Sequence, residues 1–261
     1  MKTIRVSSIS ALLIAAAALV FANGARATVV DLINGDSGTI TNSYGTAIFD
    51  FTQPQPTGTG YIDPFLRVQA DPTEQGYNTS GVTPAGPFDD KAGIWTHDLT
   101  FADLMTTAVT IGGQDYFKLL LDVNEPGGTK SNIDLLDLRF YTSSQGSLTT
   151  TDLSQLGTLR YALGDGNSVL LDASRNHGSG SGDMFAYIPV TAFAGAASGD
   201  FVYMYCKFGS ADYQSQGGFE EWTLVVNPVP EASTIFPIIG LLAAVFSTQF
   251  VRRRQLQYVS K

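Results

Sequence analysis

Cysteine and histidine are nearly missing from this 261-residue sequence: there is one Cys and there are two His. A single Cys excludes an intramolecular disulfide framework, and together with two His it excludes the common Cys/His zinc patterns. Basic residues are scarce where they would matter for nucleic acid. Of 15 Lys and Arg, seven lie at the two ends: Lys2, Arg5, Arg26, Arg252, Arg253, Arg254 and Lys261. The stretch from Thr28 to Asn227 keeps 8 basic residues against 23 acidic ones. Phosphate contacts need clustered Lys and Arg, so a nucleic-acid partner is excluded. No long stretch of the body repeats its apolar residues with a helical period.

What is present at the N-terminus reads as an address. Lys2 and Arg5 precede an apolar run from Ile9 to Ala22, and Ala25-Arg26-Ala27 supplies a small-x-small cleavage pattern. Residues 1–27 therefore read as a secretory signal helix, cut after Ala27 by signal peptidase once the Sec translocon has engaged it. A retained anchor is the alternative, but the run is shorter than the ~20 residues a spanning helix needs.

A second apolar stretch runs from Ile235 to Val251 and meets Arg252-Arg253-Arg254 directly. As a helix it spans about 26 Å, close to the ~30 Å hydrocarbon core, so it reads as a single transmembrane helix. Adjacent cations resist translocation, which leaves the Arg cluster in the cytoplasm and the acidic body outside it. Pro228 and Pro230 keep the preceding backbone extended and open to a protease.

Residues 229–254 hold Val229-Pro230-Glu231-Ala232-Ser233, one apolar span and a terminal Arg cluster, in that order. This resembles the PEP-CTERM sorting signal of exported bacterial proteins. Val229, Pro230, Glu231, Ser233 and Arg252–Arg254 carry the resemblance; Ala232 departs from the usual second Pro. The resemblance implies recognition by an exosortase-type membrane protease that removes the tail, with a permanent single-pass anchor as the alternative. The sequence thus divides into a leader (1–27), an ectodomain (28–227) and a sorting tail (228–261).

The ectodomain alternates short apolar runs with Gly, Pro, Asn and Asp turns. Strands are expected at 29–33, 47–52, 61–70, 108–111, 116–123, 133–142, 159–163, 168–172, 184–190, 201–208 and 219–226. Gly112-Gly113 suits a tight hairpin, and helical turns fit 151–156 and 191–197. That many strands in roughly 200 residues point to an all-β, two-sheet sandwich of jelly-roll type. Alternation puts Val202, Met204, Cys206 and Phe208 on the core face, and Phe201, Tyr203, Tyr205 and Lys207 on the other. Cys206 then reads as a small buried hydrophobe. Trp222, Leu224 and Val226 align inward, and Glu220 and Glu221 point to opposite faces, which counts against a glycosidase carboxylate pair. Segments such as Asp63–Gln69, Glu74–Thr79, Thr96–Leu99, Leu120–Glu125, Gly178–Met184 and Gly217–Trp222 are similar to a group of exported PEP-CTERM proteins. This second resemblance brings no activity with it.

Three constellations could carry chemistry. Asp122, Asn124 and Glu125 beside Gly127-Gly128, with Asp183, are hard oxygen ligands of the kind that hold Ca²⁺, the one cofactor candidate; their alternative is ordinary turn chemistry. Tyr61, Tyr77, Trp95, Tyr203, Tyr205 and Tyr213 could stack against sugar rings, or form a second packed face. His97-Asp98, and His177 near Ser179 and Ser181, have the residue types of a hydrolytic triad without a nucleophile elbow. The expectation is a non-catalytic, exported surface or extracellular-matrix protein associated with exopolysaccharide. It is held transiently at the inner membrane before it reaches the cell surface or medium. The alternative is a Ca²⁺-dependent carbohydrate-binding module.

Overall fold

The computed structural model describes residues 27–51, 63–82, 86–176 and 182–226. The expected signal helix, Ala25, the expected sorting residues Val229, Pro230, Glu231, Ser233 and Arg252–Arg254, the apolar stretch 235–251, Tyr61, His177, Ser179 and Ser181 lie outside them. Among the described residues no helix is long and apolar enough to cross a membrane.

The strands are β1 (Val29–Asp31), β2 (Ser37–Asn42), β3 (Gly45–Phe51), β4 (Pro64–Val68), β5 (Glu74–Tyr77), β6 (Leu99–Thr100), β7 (Ala108–Ile111), β8 (Gln114–Val123), β9 (Asn132–Ser143), β10 (Thr158–Ala162), β11 (Ser168–Asp172), β12 (Met184–Pro189), β13 (Phe201–Phe208) and β14 (Glu220–Leu224). They form two seven-stranded sheets. The first runs β1-β11-β9-β13-β5, with β10 also on β9 and β6 on β13; the second runs β2-β3-β12-β8-β14-β4, with β7 on β8. Among the described residues only β1 and β11 pair in parallel; the expected all-β, two-sheet architecture is present.

One apolar cluster fills the space between the sheets. The first sheet sends in Ile133, Leu135, Leu138 and Phe140 from β9 and Val202, Met204, Cys206 and Phe208 from β13. The second answers with Phe117, Leu119, Leu121 and Val123 from β8, Met184, Ala186 and Ile188 from β12, and Trp222 from β14. Both sets follow the two-residue period of a pleated strand.

Strands β7, β11 and β13 have the expected bounds. Gly112 and Gly113 join β7 to β8 at φ +59° and +83°, the positive values a primed hairpin turn needs. Other expectations need correction. Val226 lies beyond β14 and is exposed rather than inward-facing. β2 is too polar, with Ile40 its one buried residue, to announce itself as a strand. β5 contains Gly76, where an added Cβ would stand 2.9 Å from Val68 and 3.0 Å from Asp90. The short α-helix α1 (Phe101–Met105) was not expected; Thr100 caps it reciprocally with Asp103. The two expected helical turns are 3-10 turns at Leu153–Leu156 and Val190–Phe193.

Candidate functional site

The proposed calcium ligands fall into two groups. Asp122 sits between the core residues Leu121 and Val123 on β8, so it projects from the opposite face, in register with Glu221 on β14. Asp183 precedes β12, and its Oδ2 accepts the Val123 N–H at 2.7 Å. Its Oδ1 is buried with no donor. Burial, reinforced by Asp122 and Asp172, pushes the Asp183 carboxyl up to about 8, so it holds a proton at neutral pH. Glu125 turns away from these two: both its oxygens accept the Gln216 N–H at 3.0 Å. Asn124 is half-buried, and its carbonyl carbon and oxygen press on Gly218, where an added Cβ would lie 2.3 Å from the oxygen. Among the described residues no three His, Cys, Asp or Glu side chains converge with metal-binding geometry.

A different carboxyl pair lies inside the sandwich. The alternation that buries Trp222 also turns Glu220 inward, because the two residues share a face of β14. Glu74, at the start of β5, pairs with Phe208 in the other sheet. Both glutamates are fully buried. Glu74 Oε2 accepts the Ala70 N–H at 3.0 Å. No N–H or hydroxyl group donates to Glu74 Oε1 or to either Glu220 oxygen. The two carboxyls lie against each other, and burial beside Glu74 keeps a proton on Glu220. Desolvation pushes Glu74 up to about 7, with Glu125 and Asp89 adding to it, and drives Glu220 well above the carboxylate range. Two adjacent carboxylates in a low-dielectric core would each lose hydration and repel, so one proton stays between them.

Glu221 faces the other way, as alternation requires. It ion-pairs with Arg67, whose Nε donates to Oε1 at 2.7 Å. The guanidinium lies 3.9 Å from the Trp95 ring centre and 4.6 Å from that of Phe219. Cys206 is fully buried between these layers, as expected for a small hydrophobe; burial and the nearby Glu74 push its thiol well up, which leaves it unreactive. Glu74 had no sequence signal, since its partner lies 146 positions away in the other sheet.

The tyrosine face is closed. Tyr77, Tyr141, Tyr203 and Tyr205 pack with Leu156, and Phe88, Leu148 and Leu153 lie against them. Their hydroxyls are spent on local bonds: Tyr203 to the Gln145 carbonyl at 2.8 Å, Tyr77 to the Thr150 carbonyl at 2.9 Å, and Tyr205 to Gln75 at 2.5 Å. Of the two readings, the second packed face is the one present for Tyr77, Tyr203 and Tyr205, under Phe88, Leu148, Leu153 and Leu156. Trp95 is partly exposed but carries Arg67, and Tyr213 is half-buried. Asp98 does not serve a triad among the described residues. Its carboxylate braces two loops through the Ser80 N–H at 2.9 Å, the Ser147 N–H at 2.9 Å and the Ser147 hydroxyl at 3.0 Å.

No family model, curated protein or solved structure matches the chain.

Proposed function

We propose that the protein is a non-catalytic, exported component of the bacterial cell surface or extracellular matrix, associated with exopolysaccharide and sorted through a PEP-CTERM-like tail. The observation that carries this reading is the ordered tail: Val229-Pro230-Glu231-x-Ser233, a 17-residue apolar span, then Arg252–Arg254. The leader at 1–27 and the acidic body agree with it. Its partners are the Sec translocon and signal peptidase at the front and an exosortase-type protease at the back. A sandwich of jelly-roll type belongs to the same reading.

The closure of the tyrosine face and the burial of Cys206 support a body that acts through its surface rather than through a reactive side chain. Intact-mass analysis of protein recovered from its producing cells tests the reading. A species beginning at Thr28 and ending between Pro230 and Ala232 is expected. Full-length chain soluble in the cytosol, with residues 1–27 retained, overturns it.

A Ca²⁺-dependent carbohydrate-binding module is the second reading. One observation favours it: Asp122 and Asp183 lie close enough to disfavour each other's charge, and Asp183 Oδ1 has no donor. A cation there would have to displace the Asp183 proton.

A further inference from the structure

Strand β9 is irregular at one point. Asp137 pairs with Lys207 on β13, but the next pair is Leu135 with Phe208, so Leu136 is an extra residue. Leu135 and Leu138 both enter the core, and the bulge turns Leu136 and Asp137 together toward the outer face. At the same place β9 exchanges neighbours: residues 132–135 pair with β11, and residues 139–142 pair with β10. The sheet forks there. The β10–β11 connection stands beside the fork, with Gly164 and Gly166 at φ +94° and +77°. The β2–β3 turn brings Tyr44 to its edge, its ring 6.2 Å from Tyr161.

The result is an open cleft of about 430 Å³ floored by Leu136, Asp137, Arg139 and Lys207 and rimmed by Tyr44 and Asp165. Its size falls within the range of small-molecule sites. Charge is unevenly satisfied in it. Arg139 Nε donates to both Asp137 oxygens at 3.0 and 2.9 Å, which fixes the guanidinium. The Lys207 ammonium has no ion pair or hydrogen bond among the described residues, and the Asp165 carboxylate has none either. In a body with 8 basic residues against 23 acidic ones, two cations meet in one cleft.

We propose that this cleft binds a carboxylated sugar residue, with Lys207 and Arg139 toward its carboxylate, Asp165 toward its hydroxyls and Tyr44 against its ring. A single negative charge suits the unpaired ammonium, because charge-assisted hydrogen bonds are the stronger kind. A phosphate dianion would meet Asp137 and Asp165. The apolar sides of Leu136 and Tyr44 match the C–H faces of a pyranose. The inference rests on the exopolysaccharide part of the proposed function and names the ligand class.

The test uses the full-length chain in mild detergent, titrated by calorimetry with an oligogalacturonate, with a neutral galacto-oligosaccharide and with free glutamate. Saturable binding of the oligogalacturonate is expected, weakened roughly 10- to 100-fold by Lys207→Met. The melting midpoint of that variant should match the parent, since Lys207 lies outside the core. The proposal is overturned by absent oligogalacturonate binding, by equal binding of the neutral sugar or of glutamate, or by an unchanged affinity in Lys207→Met. The last outcome, with binding intact, removes the cleft but leaves the polysaccharide association standing. A negative result on all three ligands leaves the intact-mass test of sorting untouched.

Discussion

Glu220 begins β14 in one sheet and Glu74 begins β5 in the other, and the two buried carboxyls face each other with a proton kept on Glu220. This acid–acid contact between the two sheets is tolerable only while a proton is held.

Stability should therefore fall as the solution becomes more alkaline. Glu74 is raised from 4.5 to about 7 in the folded chain and Asp183 from 3.8 to about 8, and burial drives Glu220 well above its ordinary range. Folded values above unfolded ones mean that the native state binds the extra protons. Its advantage is full below the unfolded values and is lost as pH rises through the folded ones. Asp31 and Asp172, lowered by their hydrogen bonds, act in the opposite sense only below about 4. Thermal melts at pH 5 and pH 8 should give the higher midpoint at pH 5, by several degrees. A flat or rising profile would contradict the protonated pair.

Glu220→Gln should keep the shape and a donor to Glu74 while removing the proton requirement. The expected outcome is a raised midpoint at pH 8, a gain on the order of 1–3 kcal/mol, with little change at pH 5. Glu220→Ala serves as the contrast: it leaves a cavity and an unpaired Glu74, and lowers the midpoint at both pH values.

Gly218 has no room for a side chain, since a Cβ would lie 2.3 Å from the Asn124 oxygen. Gly218→Ala should push the 209–219 loop away from Glu125 and cost about 1–3 kcal/mol. Urea titration monitored by Trp fluorescence measures it, and a loss under about 0.5 kcal/mol would show that the loop shifts freely.

The primary reading expects no response to calcium. Melting the protein at pH 8 with and without millimolar Ca²⁺ decides between the two functional readings, because a ligand of the folded state must stabilise it. A rise abolished by Asp183→Asn favours the second reading. No rise removes Asp122, Asn124, Glu125 and Asp183 as a metal site.

How legible was this in the sequence? The β13 pattern could be read directly, because Val202, Met204, Cys206 and Phe208 alternate with bulky neighbours and both faces are apolar enough to mark a strand. Alternation also separated Glu220 from Glu221. With Trp222 inward, alternation also implies an inward Glu220; what it did not say is that Glu74 meets it there, because that pairing depends on which sheets face each other. Tyr203 and Tyr205 were assigned to the correct face, but Phe88 and the segment 145–156 that close it carry no local signal of where they will lie. The Leu136 bulge is equally silent, since a one-residue slip in pairing changes no composition.

The outer strands of both sheets are brief or polar: β1 has three residues, β5 has four, β2 is Ser-Gly-Thr-Ile-Thr-Asn, and β4 opens on Pro64. A long bare edge would invite neighbouring copies to add on strand by strand, and these edges offer little template for it. Even at high local concentration, molecules of this kind should stay individually folded instead of fusing into cross-β fibrils.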